Sequence, residues 1–309
     1  MSSPQRRIAR VRPIGNLDRT LASLMQLEYR ARRRWLRRRV WSAKHPRHLY
    51  KYRSVEPNDQ QSVVELRDMV VESLLWMSSP EAFNDPADLQ ATWVIEGSAG
   101  ELRTRIDALV KEQEPGLSFK QRERKVLDLM EKPREQLLRG VQVSYMEQRR
   151  TFGVCCFARD PRNVLMWSHY ANRHKGVCLQ YEFARDVPVL ARALHVDYLE
   201  EGAFQPINWA HAKDMREAIG DTLTRKHKRW EYEGEHRILL EGQAGTYLQL
   251  QPSALTGVIF GCHATEGVRG VVLNLLGERD SRGLQPVNLW QAHMDAQARI
   301  YVRAAGTAA

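Results

Sequence analysis

Trp230-Glu231-Tyr232-Glu233-Gly234-Glu235-His236-Arg237-Ile238-Leu239-Leu240 follows a helical stretch around 210–228 and runs from alternating acidic residues into an apolar end. It reads as a strand with Glu231, Glu233 and Glu235 on one face, because successive side chains of a strand alternate sides. Working outward, Phe152 to Phe157 is a buried-type strand. Asp160-Pro161-Arg162-Asn163 caps a helix through Leu165 to Ala171, and Gly176 opens the strand Val177 to Phe183. Further out lie a strand over His48 to Arg53, a helix over about Gln61 to Glu72 and a short strand Leu74 to Met77. Beyond the Glu-Gly-Glu segment come a strand Leu255 to Gly261, a helix near Val268 to Gly277 and a terminal strand near Ala298 to Val302. The irregular order of elements implies an α+β fold with a mixed, mostly antiparallel central sheet, not the regular βαβ of a doubly wound one.

Residues near 97–150, rich in Glu, Lys, Arg, Leu and Gln, read as two helices separated by Pro115-Gly116 and inserted into the sheet domain. The expected organisation is a basic helical arm over 1–47 and one α+β domain over 48–305 that carries the helical insert 97–150. The 309 residues suffice for a full core, and the apolar share of 43% and charged share of 27% are those of a globular chain. No window approaches 18 consecutive apolar residues, and the N-terminus lacks a secretory signal, so a cytoplasmic location and no membrane partner are expected. Cys155, Cys156, Cys178 and Cys262 are too few and too irregular for a disulfide framework. They read as reduced thiols, and no metal is expected, since the spacing of Cys155, Cys178 and His174 does not ask for one.

The net charge of +10 is unevenly placed: residues 1–53 carry 16 Lys/Arg against 2 Asp/Glu, and the remainder is slightly acidic. A helix starting at Asn16-Leu17-Asp18 would put Leu17, Leu21, Leu24 and Met25 on one face. After it come Arg30, Arg32, Arg33, Arg34, Arg37, Arg38 and Arg39, interleaved with Trp35, Leu36, Val40 and Trp41. One reading is a nucleic-acid arm in which Arg30, Arg33, Arg34, Arg37 and Arg38 neutralise phosphates. The other is a helix packed on an acidic patch of its own body or of a partner or immunity protein.

Four motifs occur in order: Leu49-Tyr50-Lys51-Tyr52-Arg53, Ser78-Ser79-Pro80-Glu81-Ala82-Phe83-Asn84-Asp85-Pro86, Leu165-Met166-Trp167-Ser168-His169-Tyr170-Ala171 with His174-Lys175-Gly176-Val177-Cys178, and Trp230-x-Tyr232-Glu233-x-Glu235-x-Arg237. Together, over about residues 49–240, they resemble a widespread bacterial family of domains of unknown function. The layout is also similar to ADP-ribosyltransferases: an early strand ending in Arg, a middle strand followed by a Ser/Tyr-bearing helix, and a late Glu-x-Glu strand. That second resemblance implies NAD as substrate and an activity on nucleic acid or protein in a bacterial defence or toxin setting. It assigns NAD binding to Arg53 with Tyr52, Ser78, Asn84, Trp167, His169 and Tyr170. An aromatic, Tyr170 or Trp167, would stack on nicotinamide, and Glu235 and Glu233 would be the catalytic carboxylates.

These residue types suit that chemistry. Breaking the ribose–nicotinamide bond passes through an oxocarbenium-like state, which a carboxylate beside C1 stabilises. A guanidinium such as that of Arg53 grips a diphosphate bidentately. The bland alternative is an ordinary strand edge with cross-strand ion pairs and a structural Arg53. Two other functions compete. One is a metal-dependent nuclease or phosphoesterase on Asp85, His169, His174 and Glu235, whose histidines are badly phased on one helix. The other is a non-enzymatic module that binds nucleic acid or protein. No P-loop, Gly-x-Ser-x-Gly elbow or His-Glu-x-x-His occurs.

Overall fold

The computed structural model describes residues 6–11, 16–42, 44–85, 88, 90–211 and 215–305, and for residues 16–18 and 215–217 the backbone alone. Pro86 of the second motif lies outside the described residues, as does the side chain of Leu17. In chain order the elements are α1 (Asn16–Gln26), α2 (Tyr29–Arg39), β1 (His48–Arg53), α3 (Gln60–Val70), β2 (Leu74–Met77), β3 (Trp93–Val94), α4 (Ala99–Gln113), α5 (Phe119–Met130) and α6 (Arg134–Thr151). There follow β4 (Gly153–Ala158), α7 (Val164–Tyr170), β5 (Val177–Glu182), α8 (Val187–Leu190), β6 (Leu194–His195), β7 (Asp197–Leu199), β8 (Ile207–Asn208), α9 (Met215–Leu223) and β9 (Arg225–His227). The chain closes with β10 (Glu235–Leu240), β11 (Thr246–Gln249), β12 (Leu255–Phe260), α10 (Glu266–Ser281), β13 (Asn288–Met294) and β14 (Ile300–Ala304).

The fold is α+β around an eight-stranded sheet of order β14-β13-β12-β5-β1-β4-β10-β6. Neighbours in it are antiparallel except β12 and β13. Helix starts follow side-chain chemistry: Asp59 accepts from the backbone N–H of Gln61 and Ser62 at α3, and Asn163 accepts from Leu165 and Met166 at α7. One sheet face carries the principal core, in which Leu49, Leu179 and Val258 of the strands meet Leu66, Val70 and Val272 of α3 and α10. Tyr52, Trp167, Cys178, Ile259 and Ala292 form a smaller core on the opposite face.

The insert folds as three helices. Pro115-Gly116 ends the first as expected, but a second break falls at Lys132-Pro133, because proline cannot donate to the ladder and biases its predecessor away from helix. Ser98 and Ser118 close capping boxes with Glu101 and Gln121, and the apolar faces pack around Ile106, Val126 and Tyr145 with Trp93 and Ile219. The helical stretch expected over 210–228 is shorter, α9, and gives way to β9; the β-strand β13 is not foreshadowed by the sequence pattern.

The basic arm is helical and docked. Leu21, Leu24 and Leu36 enter the principal core. The Arg32 guanidinium is buried and donates to the carbonyls of Leu24, Met25, Leu27 and Ala184. Buried Glu182, at the end of β5, accepts from the Tyr29 hydroxyl at 2.5 Å and pairs with Arg33, Arg47 and Arg185. Burial would raise its carboxyl, but the Tyr29 hydrogen bond and the cations around it leave it below the usual range. Arg30, Arg34, Arg37, Arg38 and Arg39 face solvent. The helix therefore packs on an acidic point of its own body through one side and presents arginines on the other. No helix among the described residues is long and apolar enough to cross a membrane.

Candidate functional site

Strand β1 is paired with β5 along its whole length, from His48↔Glu182 to Arg53↔Val177, but with β4 only at Tyr50↔Ala158. β4 instead follows β10 through six residues. The sheet therefore splits between β1 and β4, and a cleft of about 440 Å³ opens there. Lys51 bridges the split by donating from Nζ to the Cys156 carbonyl at 2.9 Å. The cleft is lined by Lys51, Tyr52 and Arg53 of β1, Cys156 and Ala158 of β4, Ser78 and Asn84 of the second motif, Tyr170 of α7, and Lys226, Glu233 and Glu235.

The two glutamates do not alternate along one strand. Residues 228–233 form a 3-10 turn that ends at Gly234 with φ +51°, and β10 begins at Glu235. The left-handed Gly234 interrupts the period of two. A Cβ there would also lie 2.9 Å from Arg159 Cγ, so a side chain at this position would meet backbone strain and have to displace Arg159. The carboxylates nevertheless meet, because both turn to one ammonium: Lys226 Nζ donates to Glu233 Oε2 at 2.5 Å and lies 3.5 Å from Glu235 Oε2 and 3.3 Å from Asp88 Oδ2. Arg237, fully buried, holds Asp88 bidentately at 3.1 and 2.7 Å and Glu235 Oε2 at 2.7 Å. Tyr170 donates its hydroxyl to Glu233 Oε1 at 2.6 Å, and the Glu235 backbone N–H donates to the Tyr198 hydroxyl at 2.8 Å.

This network pushes the two glutamates apart. Burial alone would raise the Glu235 carboxyl, but the charge and hydrogen bond of Arg237, with Lys226, outweigh it and bring it down to about 2. Glu233 moves up, mainly by burial and further by the Glu235 charge, against the pull of Lys226. Lys226 stays protonated: burial disfavours its charge, but Glu235, Glu233 and Asp88 more than compensate. The two neighbouring carboxyls therefore differ in proton affinity, Glu235 below and Glu233 above the usual carboxylate range, although both face the same ammonium.

The other expected site residues separate into two groups. Arg53 lines the cleft but is also ion-paired with Glu65. Gly176, where a Cβ would run into the Arg53 carbonyl, lets the turn after α7 close onto the end of β1. Asn84 reaches Tyr170 from Nδ2 at 3.5 Å, and Ser78 is fixed by a backbone bridge to Val154. The Tyr52 hydroxyl donates to the Asp160 carbonyl. Trp167, in contrast, is buried beneath the cleft, its ring edge-on to Tyr52 at 5.1 Å and its indole N–H donated to the Pro161 carbonyl. Of the two aromatics considered for stacking, Tyr170 lines the cleft and Trp167 does not. His169 is exposed beside Tyr170 and Tyr232, outside the lining.

Sequence reasoning missed Lys226, Asp88 and Lys51. Lys226 sits in Arg225-Lys226-His227-Lys228-Arg229, which reads as a solvated basic run; nothing local marks it. Lys51 could have been found, since it stands two residues from Arg53 on the same strand face. The nuclease residues are dispersed. His174 turns inward to Ser168 Oγ at 3.0 Å and toward His263, while His169 faces out. Among the described residues no group of three or more His, Cys, Asp or Glu is arranged to hold a metal ion.

Residues 166–238 match the model of a family described as a protein of unknown function, DUF2971. The matched span holds the last five residues of α7 with Tyr170, the turn at Gly176, and Lys226, Glu233, Glu235 and Arg237, but neither β1 nor the Ser78 to Asn84 turn. No match was found among curated proteins or among solved structures.

Proposed function

We propose that the cleft between β1 and β4 is an ADP-ribosyltransferase-like centre that uses NAD as substrate. The supporting observation is that Arg53, Tyr170, Glu233 and Glu235, drawn from three separate segments, line one cleft in which the two carboxyls differ in proton affinity. In this reading Arg53, with Lys51 beside it, takes the diphosphate and the Tyr170 ring packs on the nicotinamide. The bond from ribose C1 to the nicotinamide nitrogen breaks, its electron pair leaves with neutral nicotinamide, and the ionised Glu235 stabilises the positive charge that develops at C1. The acceptor forms its new bond to C1 and gives up its proton to Glu233, whose raised proton affinity suits that task. The basic face of α2 is the place for a nucleic-acid partner, and the setting is bacterial defence or toxicity. The test is NAD consumption and ADP-ribose transfer by the purified protein. Turnover with release of nicotinamide is expected, and unchanged turnover in Glu235→Gln would remove the assigned role.

One observation favours a second reading. Glu235 Oε2 is already held by Arg237 and Lys226, as a structural carboxylate would be. On that reading the cleft binds a nucleotide without turning it over. Saturable NAD binding with no nicotinamide released would select it.

A further inference from the structure

Three depressions follow one another across the end of the sheet, joined by shared or touching side chains. The first, on the exposed side of α2, is lined by Arg30, Arg33, Arg34, Arg37 and Trp41. Arg47 lies over the Trp41 ring at 5.9 Å and Arg33 over the Tyr29 ring at 5.5 Å. Arg47 and Tyr29 belong in turn to the second depression, about 410 Å³, which Tyr50, Arg185, Asn288 and Trp290 also line. Trp290 packs against Gly257, where the absence of a side chain leaves room for the indole, its Nε1 being 3.1 Å from where a Cβ would stand. Tyr50 then lines both this second depression and the cleft that holds Glu233 and Glu235.

We infer that this track is the path of a single-stranded nucleic acid, and that its strand is the acceptor presented to the cleft. The inference rests on the glycosyl-transfer reading for its last step only. Guanidinium groups spaced along a groove neutralise successive phosphates, and aromatic rings set between them offer stacking faces to unpaired bases. A duplex keeps its bases stacked on one another, so it could touch Arg30, Arg34 and Arg37 but would leave the recessed Tyr50 and Trp290 unused. Glu182, the buried carboxylate beside the second depression, is held by Tyr29, Arg33, Arg47 and Arg185, and Glu233 and Glu235 at the far end are paired with Lys226 and Arg237, so these carboxylates are compensated along the path. The docking of α2 through Arg32 holds the first depression in a fixed position relative to the cleft, as a continuous path requires.

The experiment is a fluorescence titration of the full chain with labelled oligothymidylate, oligouridylate and a duplex of equal length, at several salt concentrations. Single strands should bind more tightly than the duplex, and comparison of the two single strands shows whether a 2′-hydroxyl is read. Trp290→Ala should weaken single-strand binding by about tenfold, the loss of one stacked base. Arg34→Glu with Arg37→Glu, both on exposed positions, should weaken it further and lower the slope of log affinity against log salt by about 0.7 for each phosphate that is no longer neutralised. Equal or tighter duplex binding, or single-strand affinity unchanged in the Arg34→Glu/Arg37→Glu protein, would overturn the inference. Oligonucleotide binding that depends on these residues in a protein that never consumes NAD would keep the track and remove the glycosyl-transfer reading. NAD consumption without oligonucleotide binding would do the reverse.

Discussion

Lys226 Nζ lies 2.5 Å from Glu233 Oε2 and 3.5 Å from Glu235 Oε2, so one buried ammonium holds both carboxylates of the cleft. With Asp88 and Arg237 it completes a group of three acids and two bases almost without solvent contact. Removing one partner from such a group leaves uncompensated charge in a medium that solvates it poorly. Lys226→Met is therefore expected to destabilise the fold by about 3–5 kcal/mol, and Glu233→Gln should relieve part of that loss. Urea unfolding of the two single variants and the double variant measures the coupling; additive effects would show that the carboxylates do not depend on Lys226.

The divided proton affinities predict different losses for the two glutamates. Glu235→Gln should lower NAD consumption by at least about 10²-fold, because the fixed negative charge beside C1 is gone. Glu233→Gln should lower transfer to an acceptor more than hydrolysis, in which water captures C1 and its proton can pass to bulk solvent. Nicotinamide release and labelled ADP-ribose transfer, measured side by side, separate the roles. Equal losses in both assays for both variants would refute the division.

His236 is buried between the Lys44 and Gly234 carbonyls, and its neutral ring has one N–H to share between them. Burial takes it down to about 4, against the favourable pull of those carbonyls. In the unfolded chain it titrates near 6.5, so between these values the unfolded state binds the extra proton and stability rises with pH. The contribution is fully present above about pH 6.5 and is lost as pH falls toward 4, on the order of 3 kcal/mol in all. His48 is lowered to about 4 by burial as well and adds to the same slope, so stability measured from pH 7.5 to 4.5 should show it and His236→Gln should reduce it by about half.

Gly234 occupies a left-handed conformation with Arg159 packed against its bare Cα. Gly234→Ala should cost about 1–2 kcal/mol from backbone strain. Because the turn sets the angle between Glu233 and Glu235, NAD turnover should fall further than the stability loss explains. A Tm shift with unaltered kcat would show that the turn's geometry is not critical.

Arg32 donates to four backbone carbonyls, whereas Arg38 on the same helix faces solvent. Arg32→Met should destabilise the docking of α2 by about 2 kcal/mol or more, because carbonyls left without donors remain partly buried. Arg38→Ala should change stability by less than about 0.5 kcal/mol. Limited proteolysis within 27–47, faster in Arg32→Met alone, is the expected reading.

The secondary elements around the cleft were largely legible in the chain. His48 to Arg53, Phe152 to Phe157 and Val177 to Phe183 alternate or run apolar between clear turn signals, and Asn163 caps α7 as its position suggests. The α+β class and the helical, basic arm follow from those local signals. The Glu-Gly-Glu segment stands out as a motif but reads as continuous strand, since alternating glutamates carry no signal of the 3-10 turn over 228–233 that ends at the left-handed Gly234.

What the sequence determined by itself is which residues form strands and helices and which residue types are available for chemistry, because propensity, periodicity and capping act within a few residues. What only the tertiary structure decided is which charges lose their water. In the run 225–229 the side chains of Arg225, Lys228 and Arg229 are 38%, 49% and 73% exposed, whereas that of Lys226 is 3% exposed. Nothing local distinguishes them. Lys226 is desolvated because Asp88, Glu233 and Glu235 arrive from other parts of the chain, and a group's proton affinity depends on what closes over it, not on what precedes it.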